Sequence, residues 1–392
     1  MWEKVQLKAI IEKPISGEWG DDGGNIKIIR TTNFTNNGIL DLTDVVSRNI
    51  GLKKVQKKRL FKGDTIIEKS GGSPTQPVGR VVFFNEEAIY LCNNFTSIIR
   101  PKQNVFPKYL FWFLFNNHIS KKTLKYQNKT TGIINLKLEN YINEIEIPLP
   151  PLPIQEKIAA IIDKADELRR KDQELQKKYD ELAQAIFIDM FGDPVKNEKG
   201  WEVKKLGELG KVITGNTPSR EVKEYYGDFI EWIKTDNIIP TKIFPEKSKE
   251  QLSKEGLKVG RMVPNGSVLV TCIAGSKNSI GNCALANREL AFNQQINAFV
   301  PNTSNYVSVF LYYLFKLNKV YIQNSTTDGM KKIITKSSFE ELIFIVPPIL
   351  LQQAFVKKIE LINELKAKTN TDKSEELFQS LLQRAFKGEL VK

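Results

Sequence analysis

The chain has 392 residues, with 58 lysines and arginines against 45 acidic residues and a formal net charge of +13. At about 150 residues per domain this length predicts two or three domains, and the globular composition, 41% hydrophobic and 26% charged, excludes a mostly disordered chain. A single histidine and three cysteines without Cys-x-x-Cys spacing exclude a zinc finger, a disulfide framework and a His-rich metal site. No apolar run approaches the roughly 20 residues of a membrane-spanning helix. We therefore expect a protein of the reducing cytosol. The net positive charge is compatible with a polyanionic partner but does not require one.

Short segments of the first half of the chain recur in the second half in the same order. The clearest pairs are Trp2-Glu3 with Trp201-Glu202, 30–33 with 234–237, Lys62-Gly63 with Asn265-Gly266, 110–115 with 310–315, and Pro150-Pro151 with Pro347-Pro348. The offset between the copies drifts only between 197 and 204 residues. A period this long is that of a whole domain plus a tail, so the sequence predicts a tandem duplication.

In chain order, each copy opens with short β-rich runs separated by Gly, Pro and Asn, which is typical of strands and turns. In the first copy these runs are 25–29, 64–67, 80–84 and 96–99. The aromatic stretch 109–117 predicts a helix packed on the sheet, and the double proline that follows ends the domain.

A long helix is predicted directly after each double proline, over 154–191 and 351–386. Apolar residues in these segments follow steps of three and four, which predicts a coiled-coil seam. The predicted seam residues are Ile158, Ile161, Leu168, Leu175, Tyr179, Leu182 and Ile186 in the first helix and Phe355, Ile359, Ile362, Leu377 and Leu381 in the second. The polar middle of the second helix, 366–374, weakens its seam.

These elements predict an α+β protein with a pseudo-two-fold internal repeat. Two globular domains of mixed α/β structure, 1–153 and 193–350, are each followed by a helix, 154–192 and 351–392. The two helices are expected to form an antiparallel coiled coil, because an apolar stripe of this length cannot stay exposed. The alternative is that each helix folds back on its own globular domain. A helix of about 35 residues would make a rod of about 50 Å.

The positive charge lies on the globular copies. Residues 1–154 carry 22 basic and 14 acidic residues, and residues 190–351 carry 21 and 16, whereas the two helices together are neutral. Duplicated basic domains on a neutral spacer favour a bidentate polyanion binder over solvated lysine-rich surfaces.

Polar loops of the two copies are suited to contact bases and phosphates, because Arg, Lys and Asn make bidentate contacts to base edges and Lys holds phosphates. Each loop taken singly is also compatible with an ordinary polar turn. The candidates in the first copy are Arg30, Thr31, Thr32, Asn33, Lys69, Ser70, Gly71, Gly72, Ser73, Arg80, Lys129, Thr130 and Thr131. Those in the second copy are Lys234, Thr235, Asp236, Asn237, Ser276, Lys277, Asn278, Thr327, Asp328, Lys331 and Lys332. Because the frame repeats while the loop residues differ, the copies are expected to read different half-sites.

The sequence contains no phosphate-binding loop with its lysine, no dinucleotide fingerprint and no amino-methyltransferase tetrad. Asp64 and Glu68 resemble a nuclease acid cluster, but the spacing to Lys69 is wrong and the second copy has Ser267 and Thr271 at these positions. His118 lacks an acidic or cysteine neighbour and is interpreted as structural. We therefore expect a protein that binds and does not catalyse, with no catalytic residue and no metal site.

The chain resembles the specificity subunits of type I restriction–modification enzymes over its whole length. The resemblance lies in the segments 148–159 (PLPPLPIQEKIA) and 187–194 (FIDMFGDP), in Trp201 with 206–208 (LGE), and in Gln155-Glu156 and Gln352-Gln353 after the prolines. The second copy departs from this pattern at Leu350-Leu351, which stand where the first has Pro153-Ile154.

The resemblance implies that the globular copies are target recognition domains, each reading one half of a split double-stranded DNA site, with the helices setting the gap. It also implies two modification (methyltransferase) subunits and ATP-dependent restriction subunits as partners. S-adenosylmethionine, ATP and magnesium would then be bound by those partners and not by this chain. Two alternatives stay open: a scaffold with two protein-binding domains, and a stand-alone DNA-modifying enzyme with an unfamiliar site.

Overall fold

A computed structural model describes residues 2–130, 133–326 and 332–391. The chain forms two compact units. Unit 1 comprises Met1–Gln173 and Asn370–Lys392, and unit 2 comprises Glu174–Thr369. The predicted boundaries gave each long helix a region of its own, whereas both units take part of each helical region.

Unit 1 is built of small, mostly antiparallel sheets covered by helices. A four-stranded antiparallel sheet has the order Ile15–Ser16, Thr96–Ile99, Thr65–Glu68 and Val81–Phe83. A three-stranded sheet has the order Val46–Asn49, Asp21–Ile29 and Tyr90–Cys92. A second three-stranded sheet has the order Gln127–Thr130, Ile133–Leu136 and Ser70–Gly72. Strand Lys4–Gln6 pairs with Glu146–Pro148. The α-helices are Leu7–Ile10, Leu52–Lys58, Pro107–Ile119 and Leu138–Glu144, with 3₁₀ turns at Thr31–Asn33 and Lys122–Tyr126.

Unit 2 repeats this plan. One four-stranded sheet has the order Gly210–Thr214, Ile296–Pro301, Val268–Thr271 and Cys283–Leu285, and a second has the order Gln251–Leu252, Tyr226–Ile233, Leu290–Phe292 and Met262–Val263. Two-stranded sheets pair Val203–Lys205 with Ile343–Ile345 and Ile273–Ala274 with Lys332–Ile333. The α-helices are Leu206–Leu209, Lys254–Val259, Ser308–Leu317, Lys319–Asn324 and Lys336–Glu340, with 3₁₀ turns at Lys223–Tyr225, Thr235–Asn237 and Lys277–Ser279. The α+β class and the internal repeat are therefore confirmed.

An aromatic helix lies at the centre of each unit, as the sequence predicts. In Pro107–Ile119 every side chain from Tyr109 to Asn117 is buried, because the helix packs on the sheet on one side and on long helices on the other. Trp112 meets Phe378 with ring centroids 5.6 Å apart. The corresponding helix of unit 2, Ser308–Leu317, packs through Phe310 on Phe187 at 5.3 Å.

The glutamine after each double proline is a buried hydrogen-bonding centre. The Oε1 of Gln155 accepts from the Phe106 backbone N at 2.8 Å, and its Nε2 donates to the Pro150 carbonyl at 2.8 Å. Gln352 makes the same bonds to Val307 and Pro347 at 3.0 and 2.8 Å. Each amide ties the start of a long helix to the loop before the aromatic helix, which explains in physical terms why this junction repeats.

The first long helix, here the central helix, runs unbroken over Leu152–Phe191. The second is divided into two distal helices, Ile349–Lys368 and Thr371–Lys387, and the break at Thr369-Asn370 falls in the polar stretch that weakened the predicted seam.

Central and distal helices pack together within each unit. In unit 1, Arg169 forms an ion pair with Glu375 at 3.2 Å and lies 3.9 Å from the ring centroid of Phe378. In unit 2 the pairing is antiparallel, since Gln176 donates to the Lys366 carbonyl at 3.1 Å while Phe187 contacts Phe355 at 5.5 Å.

The alternative of each helix folding back on its own domain is correct only in part. The start of the central helix packs in the core of unit 1, but Phe187 and Phe191 pack in the core of unit 2. The two distal helices are divided in the opposite order along the chain: Phe355 packs in the core of unit 2 and Phe378 in the core of unit 1.

Part of the predicted seam is exposed in the structure. The side chains of Leu168, Leu175, Leu182 and Leu377 are 46, 37, 45 and 45% exposed. The buried stripe of the central helix instead runs through Ile158, Ile162, Ala165 and Arg169 and then Ala183, Phe187 and Phe191. Heptad spacing selected the leucines, but the small and aromatic residues are the ones that fit against the packed units. Ile158, Phe355, Ile359 and Ile362 are buried, whereas Ile161, Tyr179, Ile186 and Leu381 are half-buried.

Among the residues that the structure describes, no helix combines the length and the apolar character needed to cross a membrane.

Candidate nucleic-acid interface

A 3₁₀ turn follows the long strand of each unit, at Thr31–Asn33 and Thr235–Asn237, and an asparagine closes it. Asn33 accepts from the Arg30 backbone N at 2.8 Å and donates to the carbonyls of Asp41 and Asp44, both at 2.9 Å. Asn237 accepts from the Lys234 backbone N at 2.9 Å. Asn33 is buried with its donors and acceptor in use, so it has a structural role in the turn, and its predicted base contact stays a prediction. The asparagine repeats because the turn needs it.

Arg80 is buried and paired in the structure, and its predicted DNA contact stays a prediction. Its guanidinium makes two bonds of 2.9 Å to the carboxylate of Glu68, and both side chains are buried. It also donates to the carbonyls of Thr31 and Phe34 at 3.2 and 3.0 Å. Arg80 thus holds the turn in place from beneath, which sequence reasoning could not distinguish from an exposed arginine.

The cations that open the turns remain at the surface. Arg30 contacts Asp44 at 3.0 Å. In unit 2, Lys234 and Arg220 share Glu250 at 2.5 and 2.7 Å and lie over the ring of Trp232 at 5.7 and 5.6 Å. Half-exposed cations held by one carboxylate can exchange that partner for a phosphate or a base edge. Thr32 and Asp236 are exposed beside them, and Thr31 and Thr235 are half-buried.

The segment 69–73 is more ordered than its glycines suggest. Ser70–Gly72 is a strand in the sheet with Gln127–Thr130 and Ile133–Leu136, so this segment and the predicted loop at Lys129 adjoin. Lys69 is half-buried and donates to the Oγ of Ser16 at 2.5 Å. Burial lowers the pKa of Lys69, and nearby Lys58 lowers it further. Ser73 lies in the turn that follows.

The corresponding segment of unit 2 ends in a capped turn. Ser276 accepts from the Asn278 backbone N at 3.3 Å, and the exposed Lys277 donates to the Oδ1 of Asn324 at 3.5 Å. Thr131, Thr327, Asp328 and Lys331 lie outside the described residues, as do the side chains of Lys129, Thr130 and Lys332.

Two features that sequence reasoning missed adjoin these loops. The first is a glycine after the edge strand of each four-stranded sheet, Ile15–Ser16 in unit 1 and Gly210–Thr214 in unit 2. A Cβ on Gly17 would lie 2.0 Å from the Asn93 carbonyl oxygen, and one on Gly215 would lie 2.1 Å from that of Asn293. Only glycine allows this approach, and the repeat of Ser16-Gly17 as Thr214-Gly215 was a signal for it. The second is the basic helix Leu52–Lys58, whose signal was the run 52–59 (LKKVQKKR).

The side chains that could act in catalysis are either ion-paired or buried. Asp64 is bound by Arg100 at 2.7 and 2.8 Å and Glu68 by Arg80. Burial raises the pKa of the Cys92 thiol to about 11 and lowers that of His118, which is also near Arg80, to about 4. Within 2–130, 133–326 and 332–391, no group of three or more His, Cys, Asp or Glu residues could hold a metal ion.

The family model of the type I restriction–modification DNA specificity domain matches residues 1–177 and again 198–379. The chain belongs to this family. The two matches correspond to the two copies of the repeat, and together they cover most of the chain. The resemblance seen in the sequence is confirmed, and the chain is a DNA-specificity protein and not an enzyme.

Relatives share the full length of the chain at low identity. The HindI specificity subunit of Haemophilus influenzae is 23% identical, with 93% of this chain and 94% of that protein covered. The putative MjaX specificity subunit of Methanocaldococcus jannaschii is 22% identical over 97 and 92%. Among solved structures, the type I S subunit from M. genitalium has a TM-score of 0.59 at 14% identity over 98 and 96% of the chains. A chain of a type I R-M system, from work on complex assembly and conformational transition, has a TM-score of 0.53 at 18% identity over 99 and 98%. The chain therefore shares its fold with these two solved structures.

Proposed function

We propose that this protein recognises a bipartite double-stranded DNA site, with each unit reading one half-site. The observation that carries the proposal is the duplicated turn: the same asparagine-closed 3₁₀ turn presents Arg30 in unit 1 and Lys234 in unit 2. The backbone of the turn is the same in both units, whereas the side chain at its start differs. Arginine and lysine differ in the base contacts that they make.

We propose further that the helices set the gap between the half-sites. A helix of 40 residues, Leu152–Phe191, is about 60 Å long at about 1.5 Å per residue. One turn of DNA measures about 34 Å, so the helix is long enough to span more than a turn.

The partners in this proposal are modification subunits, which bind S-adenosylmethionine, and restriction subunits, which use ATP and magnesium. The exposed leucines of the long helices, Leu168, Leu175, Leu182 and Leu377, are suited to dock them, because apolar residues at heptad spacing are typical of helix partners. The protein would act in the cytoplasm, where the host DNA is.

Methylome sequencing of the host with and without this gene tests the bipartite site. We expect a split adenine-methylated motif that disappears with the gene. A continuous motif, or an unchanged methylome in a host whose modification subunits are active, would contradict the proposal.

Gap-length dependence tests the role of the helices. The full chain should prefer one gap among duplexes carrying both half-sites, and inserting seven residues in the central helix and seven in the distal chain should shift that preference. Equal binding at every gap length would show that the helices do not measure it.

A further inference from the structure

The helix Leu52–Lys58, here the lysine helix, is the most basic element of unit 1. With the following Arg59 it carries five cations and no acidic residue. Val55 is buried in a cluster with Ile28, Ile50 and Leu91, so one face of the helix is anchored. Lys53, Lys54, Lys57 and Arg59 are exposed around the remaining surface. A helix packed on the unit therefore presents positive charge to solvent.

The lysine helix adjoins the loop that begins at Gly17. Lys58 donates to the Gly17 carbonyl at 3.3 Å and to Glu18 at 2.9 Å, and Lys54 lies 3.4 Å from the same carboxylate. Lys69 reaches the preceding residue, Ser16, at 2.5 Å. The Glu18 carboxylate thus contacts two lysines, Lys54 and Lys58, and positive charge is left in excess.

Lys53 and Lys57 have no carboxylate partner among the residues that the structure describes. Like charges four residues apart on a helix destabilise it slightly, so Lys53 and Lys57 weaken the isolated helix. A polyanion lying along this face would relieve that repulsion.

The matching position in unit 2 is built differently. The helix Lys254–Val259 carries Lys254, Glu255 and Lys258, and Lys258 is bound by Glu255 at 2.6 Å. Asn216, which follows Gly215 as Glu18 follows Gly17, donates to the Val259 carbonyl at 2.7 Å. Arg261, which follows the helix, donates to the Thr214 carbonyl at 2.9 Å. A hydrogen bond from a neutral amide therefore takes the place that the Glu18 carboxylate and its two lysines have in unit 1, and fewer cations are present.

We propose that the lysine helix binds the DNA phosphate backbone independently of base sequence, so that unit 1 supplies most of the nonspecific affinity and unit 2 a smaller share. Phosphate is the fitting partner because several lysines converge without donors arranged for base edges. This inference rests on the proposed function, since it assigns one element of unit 1 a task in the same DNA binding.

The test measures binding of the full chain to a 40-base-pair duplex of random sequence over a range of salt concentrations. In the variant Lys53→Gln/Lys57→Gln, two lost phosphate contacts should reduce the slope of log K against log salt by about 1.8. At 0.1 M salt the affinity should fall roughly 10- to 100-fold. The methylated motif should keep its sequence, because base contacts are untouched.

Two variants serve as controls. Lys254→Gln/Lys258→Gln makes the same charge change on the unit 2 helix and should alter the slope by less than half as much. Lys171→Gln/Lys177→Gln makes it on the central helix, where Glu167 and Glu181 already pair with these lysines, and should leave the slope unchanged. Thermal unfolding checks that all variants fold.

An unchanged slope in the Lys53/Lys57 variant, or equal changes in both units, would overturn the inference while leaving the proposed function in place. Normal DNA binding together with lost assembly on modification subunits would assign the lysine helix to an acidic protein surface instead. A wild-type chain that binds no duplex would contradict the proposed function itself.

Discussion

At the scale of single residues, several residues that repeat between the two copies have a structural role. Asn33 and Asn237 close the same turn, and Gln155 and Gln352 tie the same helix start. The side chains of Asn33, Gln155 and Gln352 are buried with backbone partners, whereas Asn237 is half-buried. In the proposed function, specificity is defined by neighbours that differ between the copies, such as Arg30 and Lys234.

Arg80 provides a test of this distinction. Arg80→Met should reduce the free energy of unfolding by about 3–5 kcal/mol, because Glu68 is left buried and unpaired. The double variant Arg80→Met/Glu68→Met should recover much of that loss. Urea unfolding measures both. A stable Arg80→Met protein with a reduced salt slope in DNA binding would instead make Arg80 a phosphate contact.

His118 gives unit 1 a dependence on pH. Its pKa in the folded chain is lowered from 6.5 to about 4, by burial and by Arg80. The unfolded chain therefore binds the proton more readily, and stability is lost as the pH falls from about 6.5 towards 4. A shift of this size corresponds to about 3 kcal/mol. Denaturant unfolding should show this loss in the wild type and a smaller one in His118→Gln; equal losses would contradict the assignment.

At the scale of elements, the central helix has two apolar stripes, one buried and one exposed. Ala183, Phe187 and Phe191 are buried in the core of unit 2, whereas Leu175 and Leu182 are exposed. A heptad pattern identifies apolar positions but does not tell which stripe meets the chain's own core.

The two stripes should respond differently to substitution. Leu175→Gln and Leu182→Gln should change the free energy of unfolding by no more than about 0.5 kcal/mol, whereas Phe187→Ala should cost about 3–5 kcal/mol. The leucine variants should lose binding to the modification subunits, measured by co-purification of the complex. If they destabilise the chain as strongly as Phe187→Ala, these leucines belong to a buried seam.

At the scale of the whole molecule, the chain repeats one plan in two units, and each unit contains parts of both long helical regions. Independent recognition by the two units is the functional consequence that this organisation suggests. A change confined to one unit should then alter one half of the DNA motif.

Arg30→Ala should relax one half of the methylated motif and Lys234→Ala the other, each by about 1–3 kcal/mol of discrimination at a base pair. Methylome sequencing of hosts carrying each variant reads both halves at once. A uniform drop in methylation with the motif unchanged would indicate phosphate contacts, and changes in both halves from one variant would contradict independent reading.

The sequence by itself determined the repeat, the α+β class, the aromatic helices, the proline-to-helix junctions and the family, because each depends on local composition or on order along the chain. Tertiary structure alone decided that Arg80 and Asn33 are buried, and that in the central helix Leu168 is exposed while Phe187 is buried. Burial depends on which distant surface a side chain meets, and spacing along one segment carries no information about that surface. The lysine helix lies between these cases: its charge was visible in the sequence, but its anchoring by Val55 and its place beside Gly17 required the fold.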